Sequence, residues 1–286
     1  MKIAYMLLIH KNYKQVNMLI NVLDDPDIDL HIHVDKKSED LYHKLKEEYK
    51  NKKNIYIINE RFSVNRGGFS MVEATLSLMK SVSKKEYSYV SLISGQCFPI
   101  ASMQEIKAFL SDNYGKEYIE GNEIGSNFWR IKCYNLFSDK SNNMRLYIRL
   151  IDKILRQIQI LFVKRKNLIG FNLYKGSQWF TITYDCLKYI LLYLEDNPKY
   201  IEDFKFSYCP DESFFHTLVM NSDFKKNRIN TDLMEIDWDN PVNGSPRNYG
   251  VNDFELLKNS ENLFARKFDA EFDADILNKI NKFIVS

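Results

Sequence analysis

The segment Cys209-Pro210-Asp211-Glu212-Ser213-Phe214-Phe215 places two adjacent carboxylates in front of an apolar run with helical spacing. This pattern predicts that Asp211 caps a helix and that Glu212 lies in its first turn. The helix dipole favours an ionised carboxylate there, and a carboxylate must be ionised to accept a proton. Glu212 is therefore a candidate general base, although acids in a first turn are also typical of ordinary capping.

A second candidate site is the dibasic segment Phe264-Ala265-Arg266-Lys267-Phe268. Two cations between aromatic side chains can bind a phosphate group through charge-assisted hydrogen bonds, each contributing about 1.5–3 kcal/mol. Arg247, in a loop rich in Asn, Pro and Gly, is a further cation of this kind. A dibasic pair alone is more typical of a solvated surface.

Metal binding and several other kinds of chemistry find little support in the sequence. Asp27-Ile28-Asp29 offers paired oxygen ligands, but it precedes a strand, at the end opposite the predicted cleft. Asp237-Trp238-Asp239 is better placed, but such a short pattern recurs by chance, and His31 and His33 share a strand face without an evident third ligand. The sequence also has no Gly-x-Gly-x-x-Gly fingerprint, no Walker loop and no Gly-x-Ser-x-Gly elbow. We therefore expect no bound metal ion.

Four apolar, strand-like runs alternate with helical patterns along the first 120 residues. The strands are predicted at residues 2–9, 30–34, 55–58 and 87–94. This alternation favours an α/β fold with a mostly parallel sheet that is covered by helices on both faces. The patterns Ser70-Met71-Val72-Glu73 and Ser102-Met103-Gln104-Glu105 predict capping boxes at the starts of two helices.

Polar residues follow three of these strands. His10 follows the first strand, Asp35 the second and Ser94-Gly95-Gln96 the fourth. The carboxyl ends of parallel strands meet at one edge of a sheet, which is where open α/β folds place their active sites. The sequence therefore predicts a cleft at this edge.

The segment near residues 143–168 is basic and amphipathic. On a helix, one of its faces carries cations and the other carries apolar side chains, among them Leu150, Ile154 and Leu161. Such a helix can lie on an anionic membrane, or its apolar face can pack on the core, and both alternatives stay open. The segment contains one acid, Asp152, and seven basic residues, Arg145, Arg149, Lys153, Arg156, Lys164, Arg165 and Lys166.

The composition argues against several classes of protein. A net charge of +2 gives no global footprint for nucleic acid, and the four cysteines are too scattered for a zinc site or a disulfide framework. The apolar run at residues 3–9 is too short to span a membrane and lacks a signal-peptide cleavage site. We therefore expect one domain over residues 1–286, located in the cytoplasm.

Six segments, in order along nearly the whole chain, resemble the motifs of one family. This family is the core-2/I-branching β-1,6-N-acetylglucosaminyltransferases, glycosyltransferase family 14, which also includes the peptide O-xylosyltransferases. The matching segments are Ile32-His33-Val34-Asp35-Lys36-Lys37-Ser38, Arg66-Gly67-Gly68-Phe69-Ser70, Ser94-Gly95-Gln96-Cys97-Phe98-Pro99-Ile100, Gly176-Ser177-Gln178-Trp179-Phe180, Pro210-Asp211-Glu212-Ser213-Phe214-Phe215 and Leu263-Phe264-Ala265-Arg266-Lys267-Phe268-Asp269.

The resemblance implies a GT-A-like α/β fold, with a mixed, mostly parallel sheet flanked by helices. It also implies an inverting glycosyltransferase that uses a UDP-sugar without a metal ion or another cofactor. Residues 1–120 would form the nucleotide-binding half, and residues 121–286 the acceptor-binding and catalytic half, in which Glu212 deprotonates the acceptor hydroxyl. The implied nucleotide-binding residues are Ile9, His10, Asp35, Arg247, Arg266 and Lys267, and the implied acceptor-binding residues are Glu120, Arg130 and Trp179.

The resemblance leaves the substrates open. The family name favours N-acetylglucosamine as the donor sugar, with UDP-xylose as an alternative, and a non-catalytic nucleotide- or carbohydrate-binding protein is a rival from another class. Animal members carry an N-terminal membrane anchor that this sequence lacks, which indicates a bacterial member of surface-polysaccharide synthesis. We expect a saccharide acceptor that a lipid can carry, peripheral contact with the inner membrane face and no nucleic-acid partner.

Overall fold

The computed structural model describes residues 1–140, 145–162, 165, 168, 170–239, 241 and 244–285. The first half of the chain contains β1 (Ile3–Ile9), α1 (Tyr13–Leu23), β2 (Ile28–Val34), α2 (Glu39–Glu48), β3 (Ile55–Ile57), α3 (Ser70–Val82), β4 (Tyr89–Ser94), β5 (Cys97–Pro99), α4 (Met103–Asp112), β6 (Glu117–Tyr118) and β7 (Asn122–Glu123). The second half contains α5 (Trp129–Lys132), α6 (Leu146–Phe162), β8 (Tyr174–Lys175), β9 (Phe180–Thr183), α7 (Tyr184–Asp196), α8 (Pro198–Phe204), α9 (Phe214–Met220), β10 (Arg228–Ile229), β11 (Met234–Ile236), α10 (Phe254–Lys258), β12 (Phe264–Arg266) and α11 (Asp275–Val285).

The central sheet has seven strands in the order β10-β6-β9-β4-β1-β2-β3. Strands β3, β2, β1 and β4 run parallel, and β9 pairs antiparallel with both β4 and β6. Every residue of β1 and of β2 is buried, as expected for strands that are covered on both faces. The predicted α/β class with a mixed, mostly parallel sheet is confirmed.

The register of the parallel strands aligns their carboxyl ends. Ile9 pairs with Val34 across β1 and β2, and Leu8 pairs with Ser94 across β1 and β4. A second sheet, in the order β11-β12-β5, pairs Arg266 with Cys97. Because β5 follows β4 directly, this pairing brings the dibasic segment to the same edge of the central sheet.

One of the two predicted capping boxes forms, and the other does not. Ser102 Oγ accepts a hydrogen bond from Glu105 N, and the Glu105 carboxylate accepts one from Ser102 N at 2.7 Å. At the start of α3 the prediction is wrong, because Ser70 is itself the first helical residue and not the residue before the helix. The hydrogen-bond partner of Ser70 there is the carboxylate of Asp139. Ser70 N donates to Asp139 Oδ2 at 2.9 Å. A carboxylate that is distant in sequence therefore replaces the local one.

Helix α6 contains the basic, amphipathic segment, although Lys164 and Lys166 lie outside the described residues. The apolar side chains of its outer face are exposed, and within α6 the one buried residue is Ile148. The interpretation that this apolar face packs on the core is therefore wrong. In the part of the chain that the structure describes, no helix is both long and apolar enough to cross a membrane.

Candidate active site

The polar residues that follow β1, β2 and β4 lie together at the carboxyl edge of the sheet. Asp35 N donates to Ile9 O at 2.7 Å, and Gly95 N donates to Leu8 O at 3.0 Å. Asp35 is buried, and its Oδ1 accepts a hydrogen bond from Lys37 N at 2.8 Å. The predicted clustering of these residues at one edge is confirmed.

Gln15, on α1, joins this edge to the dibasic segment. Its side-chain amide donates to Gly95 O at 2.8 Å and to Phe268 O at 3.1 Å, and its Oε1 accepts from Ala270 N at 2.9 Å. Gln15 is buried among the apolar residues of α1. Sequence reasoning missed this residue, and the available signal was an amide on the apolar face of a helix.

Lys267 lies in a cluster of positive charge at this edge. Burial lowers the pKa of Lys267, and the positive charges of Arg266, Lys11 and Arg66 lower it further. The pKa of His10 is lowered by burial and by Lys11, with a smaller contribution from Lys267. A set of fixed cations in a partly desolvated position can stabilise a bound anion such as a diphosphate.

Arg266 is held above Trp179. The guanidinium carbon lies 4.4 Å from the centre of the indole ring, and Nη1 is 3.3 Å from Ser94 Oγ. Trp179 is buried, and one face of its ring is covered by Arg266. The structure therefore places this predicted acceptor residue under the cation cluster.

Glu212 lies in a short 3₁₀ turn, Pro210–Glu212, rather than in the first turn of α9. The predicted capping by Asp211 is wrong, because α9 begins at Phe214 and the residue before it, Ser213, makes no side-chain cap. Asp211 Oδ1 is buried, and it has no hydrogen-bond partner among the described residues. Burial and the nearby charge of Glu212 raise the pKa of Asp211 to about 7.

Two contacts hold Glu212 in place. Arg130 Nη1 lies 2.6 Å from Glu212 Oε2, and Gly176 N donates to Glu212 O at 2.9 Å. Arg130 O also accepts a hydrogen bond from Tyr208 N at 2.7 Å. Arg130, which was predicted to bind the acceptor, is thus the ion-pair partner of the candidate base.

The two glycines of Arg66-Gly67-Gly68 make room for protein neighbours. A Cβ on Gly67, whose φ is +77°, would lie 2.9 Å from the Tyr208 ring, and a Cβ on Gly68 would lie 2.2 Å from Asp139 Oδ1. Cys209 N donates to Gly67 O at 3.0 Å. Close packing against Tyr208, in the segment that precedes Glu212, therefore requires glycine at position 67, and close packing against Asp139 requires it at position 68.

The charge of Arg66 acts both on the cation cluster and on the segment that precedes Glu212. Its charge lowers the pKa of Lys267 and also that of Tyr208, whose pKa burial raises overall. Sequence reasoning did not assign Arg66 to the site. Its position beside two glycines was the available signal.

Glu120 also lies next to this turn. Its Oε2 accepts a hydrogen bond from Ser177 N at 2.9 Å, and Ser177 follows the residue that binds Glu212 O. Burial raises the pKa of Asp232 to about 6, and the charge of Glu120 contributes to this shift. The Glu120 carboxylate, which is partly exposed, can accept hydrogen bonds from sugar hydroxyls.

Arg247 is engaged by two acids. It forms an ion pair with Asp237 through Nε, and it binds the two oxygens of Asp253 at 2.8 and 2.9 Å. These partners raise its pKa. Tyr249 N donates to Lys267 O at 2.9 Å, so the Arg247 loop lies beside the cation cluster while its guanidinium is bound elsewhere.

The Asp-x-Asp segments are also engaged by cations. Asp237 binds Arg247, and Asp27 and Asp29 form ion pairs with Lys107 and Lys85. Over the described ranges, no three His, Cys, Asp or Glu side chains form a group that could hold a metal ion.

Two solved structures similar to this chain are a galactosyltransferase and a xylosyltransferase. A galactosyltransferase LgtC in complex with donor and acceptor sugar analogs aligns over 99% of this chain and 96% of its own, with 10% identity and a TM-score of 0.43. Mouse xyloside xylosyltransferase 1 aligns over 92% and 97%, with 10% identity and a TM-score of 0.37.

Curated relatives include xylosyltransferase oxt of Drosophila melanogaster, 24% identical over 99% of this chain and 33% of its own length. Xylosyltransferase 2 of Rattus norvegicus is 25% identical over 96% of this chain and 33% of its own. The chain thus spans about one third of the length of these relatives.

The family model of the core-2/I-branching enzymes matches residues 3–258. This match covers most of the chain and all of the motifs up to Glu212. The protein therefore belongs to the core-2/I-branching enzymes, which confirms the family and the enzyme class, glycosyltransferase, that the sequence motifs predicted.

Proposed function

We propose that this protein is an inverting glycosyltransferase that moves a sugar from a UDP-sugar to a hydroxyl of a saccharide acceptor. The observation that carries the proposal is the pairing of two unlike regions. Glu212 is held by Arg130 and Gly176, and the cations Arg266 and Lys267 lie at the sheet edge, with the charge of Arg66 acting on both regions. One region suits a proton transfer and the other suits a leaving diphosphate.

In this mechanism Glu212 takes the proton of the acceptor hydroxyl. The acceptor oxygen then forms a bond to the anomeric carbon of the donor sugar as the bond from that carbon to the UDP oxygen breaks. UDP leaves with the bonding electron pair, and Lys267 and Arg266 stabilise the charge that develops on its diphosphate. Attack opposite the leaving group inverts the anomeric centre.

We propose UDP-N-acetylglucosamine as the donor, in agreement with the family to which the chain belongs. UDP-xylose is the second candidate, because the curated relatives that match almost the whole chain are named xylosyltransferases. A non-catalytic binding protein is disfavoured, because simple binding of a nucleotide or a saccharide does not require a carboxylate held by an arginine.

We further propose that the acceptor is a lipid-linked saccharide of bacterial surface-polysaccharide synthesis, modified at the cytoplasmic face of the inner membrane. The basic helix α6, with its exposed apolar face, supports this location. Metal independence is proposed because Lys267 and Arg266 can stabilise the charge on a leaving diphosphate, a role that a metal ion would otherwise have.

The proposal is tested by measuring UDP release from a panel of UDP-sugars, each with and without EDTA. We expect turnover of UDP-N-acetylglucosamine that EDTA does not change. Preference for UDP-xylose would favour the second candidate, and inhibition by EDTA would contradict metal independence. Binding of UDP without turnover of any donor or transfer to any acceptor would favour the non-catalytic alternative.

A further inference from the structure

Helix α6 presents an unusual outer surface. Leu150, Ile154, Ile158 and Leu161 follow one another at helical spacing, and their side chains are 52%, 61%, 48% and 73% exposed. A contiguous apolar stripe of this kind on a protein surface marks a contact with a partner or a membrane.

The charges beside the stripe identify that partner. Arg149 and Lys153 are exposed on α6, and Arg145, which directly precedes the helix, is exposed as well. The one acid of α6 is Asp152. An apolar stripe combined with exposed cations is complementary to an anionic bilayer surface, with the apolar side chains below the headgroups and the cations among them. We propose that α6 docks in the plane of an anionic lipid bilayer.

A second copy of this chain fits the surface less well. A two-fold contact places the same patch of each copy against the other. Pairing through α6 would therefore bring the two sets of Arg145, Arg149 and Lys153 towards each other, and like charges repel. Anionic lipid neutralises the same cations.

The inner side of α6 contacts the helix that carries the partner of Glu212. The Arg156 guanidinium lies 4.0 Å from the centre of the Trp129 ring, and Trp129 stacks on Tyr208 with ring centres 5.6 Å apart. Arg130, the next residue, forms the ion pair with Glu212. Gln159 on α6 also binds the main chain of Tyr134 at 2.6 and 3.0 Å.

A bilayer bound by α6 would therefore have a fixed position relative to the turn of Glu212. This arrangement suits an acceptor whose saccharide projects from a lipid, and in this respect the inference rests on the proposed function. Docking itself requires neither donor nor acceptor, so it can be measured separately.

The test is vesicle flotation of the full chain with phosphatidylcholine vesicles, with and without phosphatidylglycerol. We expect binding that depends on phosphatidylglycerol and weakens at high salt, because ions screen surface charge. The double variant Ile154→Glu, Leu161→Glu should reduce the bound fraction by about tenfold or more. Leu192→Glu is the matched control, since Leu192 on α7 and Ile154 are both 61% exposed.

A charge variant tests the second half of the surface. The double variant Arg149→Glu, Lys153→Glu should also reduce the vesicle-bound fraction by about tenfold. The double variant Lys80→Glu, Lys84→Glu, on another surface, should leave the bound fraction unchanged. Circular dichroism of each variant verifies that it folds.

Unchanged flotation of both α6 variants, or equal binding to vesicles without phosphatidylglycerol, would overturn the inference. So would a dimer, measured by light scattering without lipid, that Ile154→Glu dissociates. Because flotation uses no sugar nucleotide, failure of donor turnover with intact flotation would count against the proposed function alone.

Discussion

The two regions of the candidate active site, one around Lys267 and one around Glu212, differ in the sign of their charge. Burial lowers the pKa of Lys267 and the neighbouring cations lower it further, whereas the nearby Asp269 is ion-paired with Lys11. Around Glu212, Arg130 faces two adjacent carboxylates, and burial together with the charge of Glu212 raises the pKa of Asp211 to about 7. The comparison indicates that the first region is suited to receive an anion and the second to receive a proton.

The largest expected effect follows from removing the carboxylate of Glu212. Glu212→Gln keeps the shape of the side chain but cannot accept a proton, so kcat should fall by about 10²–10⁴. UDP affinity, measured by calorimetry, should stay the same because the cations are untouched.

Glu195→Gln, an exposed substitution on α7, serves as the control and should retain full turnover. Near-normal transfer by Glu212→Gln would remove Glu212 from the role of base and would leave Asp211 or Glu120 to be tested in its place.

The cation region is tested by comparing Lys267 with Arg247. Lys267→Met should weaken UDP binding by about 1.5–3 kcal/mol, or roughly 10- to 150-fold in Kd, since it removes a charge-assisted contact to the diphosphate. Arg247→Leu should leave Kd nearly unchanged and lower Tm by roughly 3–6 °C, because it leaves Asp237 and Asp253 without their partner.

Each variant is the control for the other, with calorimetry and thermal unfolding measured on both. Weaker UDP binding in Arg247→Leu at unchanged Tm would mean that Arg247 leaves its acids to bind the diphosphate, as the family resemblance implies.

The four parallel strands of the central sheet, β1 to β4, could be predicted from the sequence because they are short, mostly apolar runs. The positions of His10, Asp35 and Gly95 then followed from the geometry of parallel strands. The turn of Glu212 could not be predicted in the same way. Cys209 adopts a left-handed conformation, with φ at 48°, and the chain forms a 3₁₀ turn before α9 begins. A capping pattern gives the residue types of a helix start without its exact position.

Contacts between distant residues account for the other differences. Asp139 replaces Glu73 at the start of α3, and Gln15 joins two loops that are far apart in sequence. For α6, periodicity identified the apolar face, but whether that face is covered depends on the tertiary packing of the rest of the chain. A local pattern contains no information on such contacts.

Asp211 offers the smallest and most specific test of the comparison. Its pKa is raised from the ordinary 3.8 to about 7 by burial and by Glu212. The unfolded chain therefore loses this proton at lower pH than the folded chain, and stability falls as pH rises from about 4 through about 7. The side chain of Asp211→Asn is neutral at every pH. Between pH 5 and pH 8 the Tm of this variant should therefore fall by roughly 5 °C less than the Tm of the wild type.

The exposed substitution Asp112→Asn is the control, and its Tm should follow the wild-type curve. Parallel curves for Asp211→Asn and the wild type would mean that Asp211 is already ionised in the folded protein, and the region of Glu212 would then carry more negative charge than proposed.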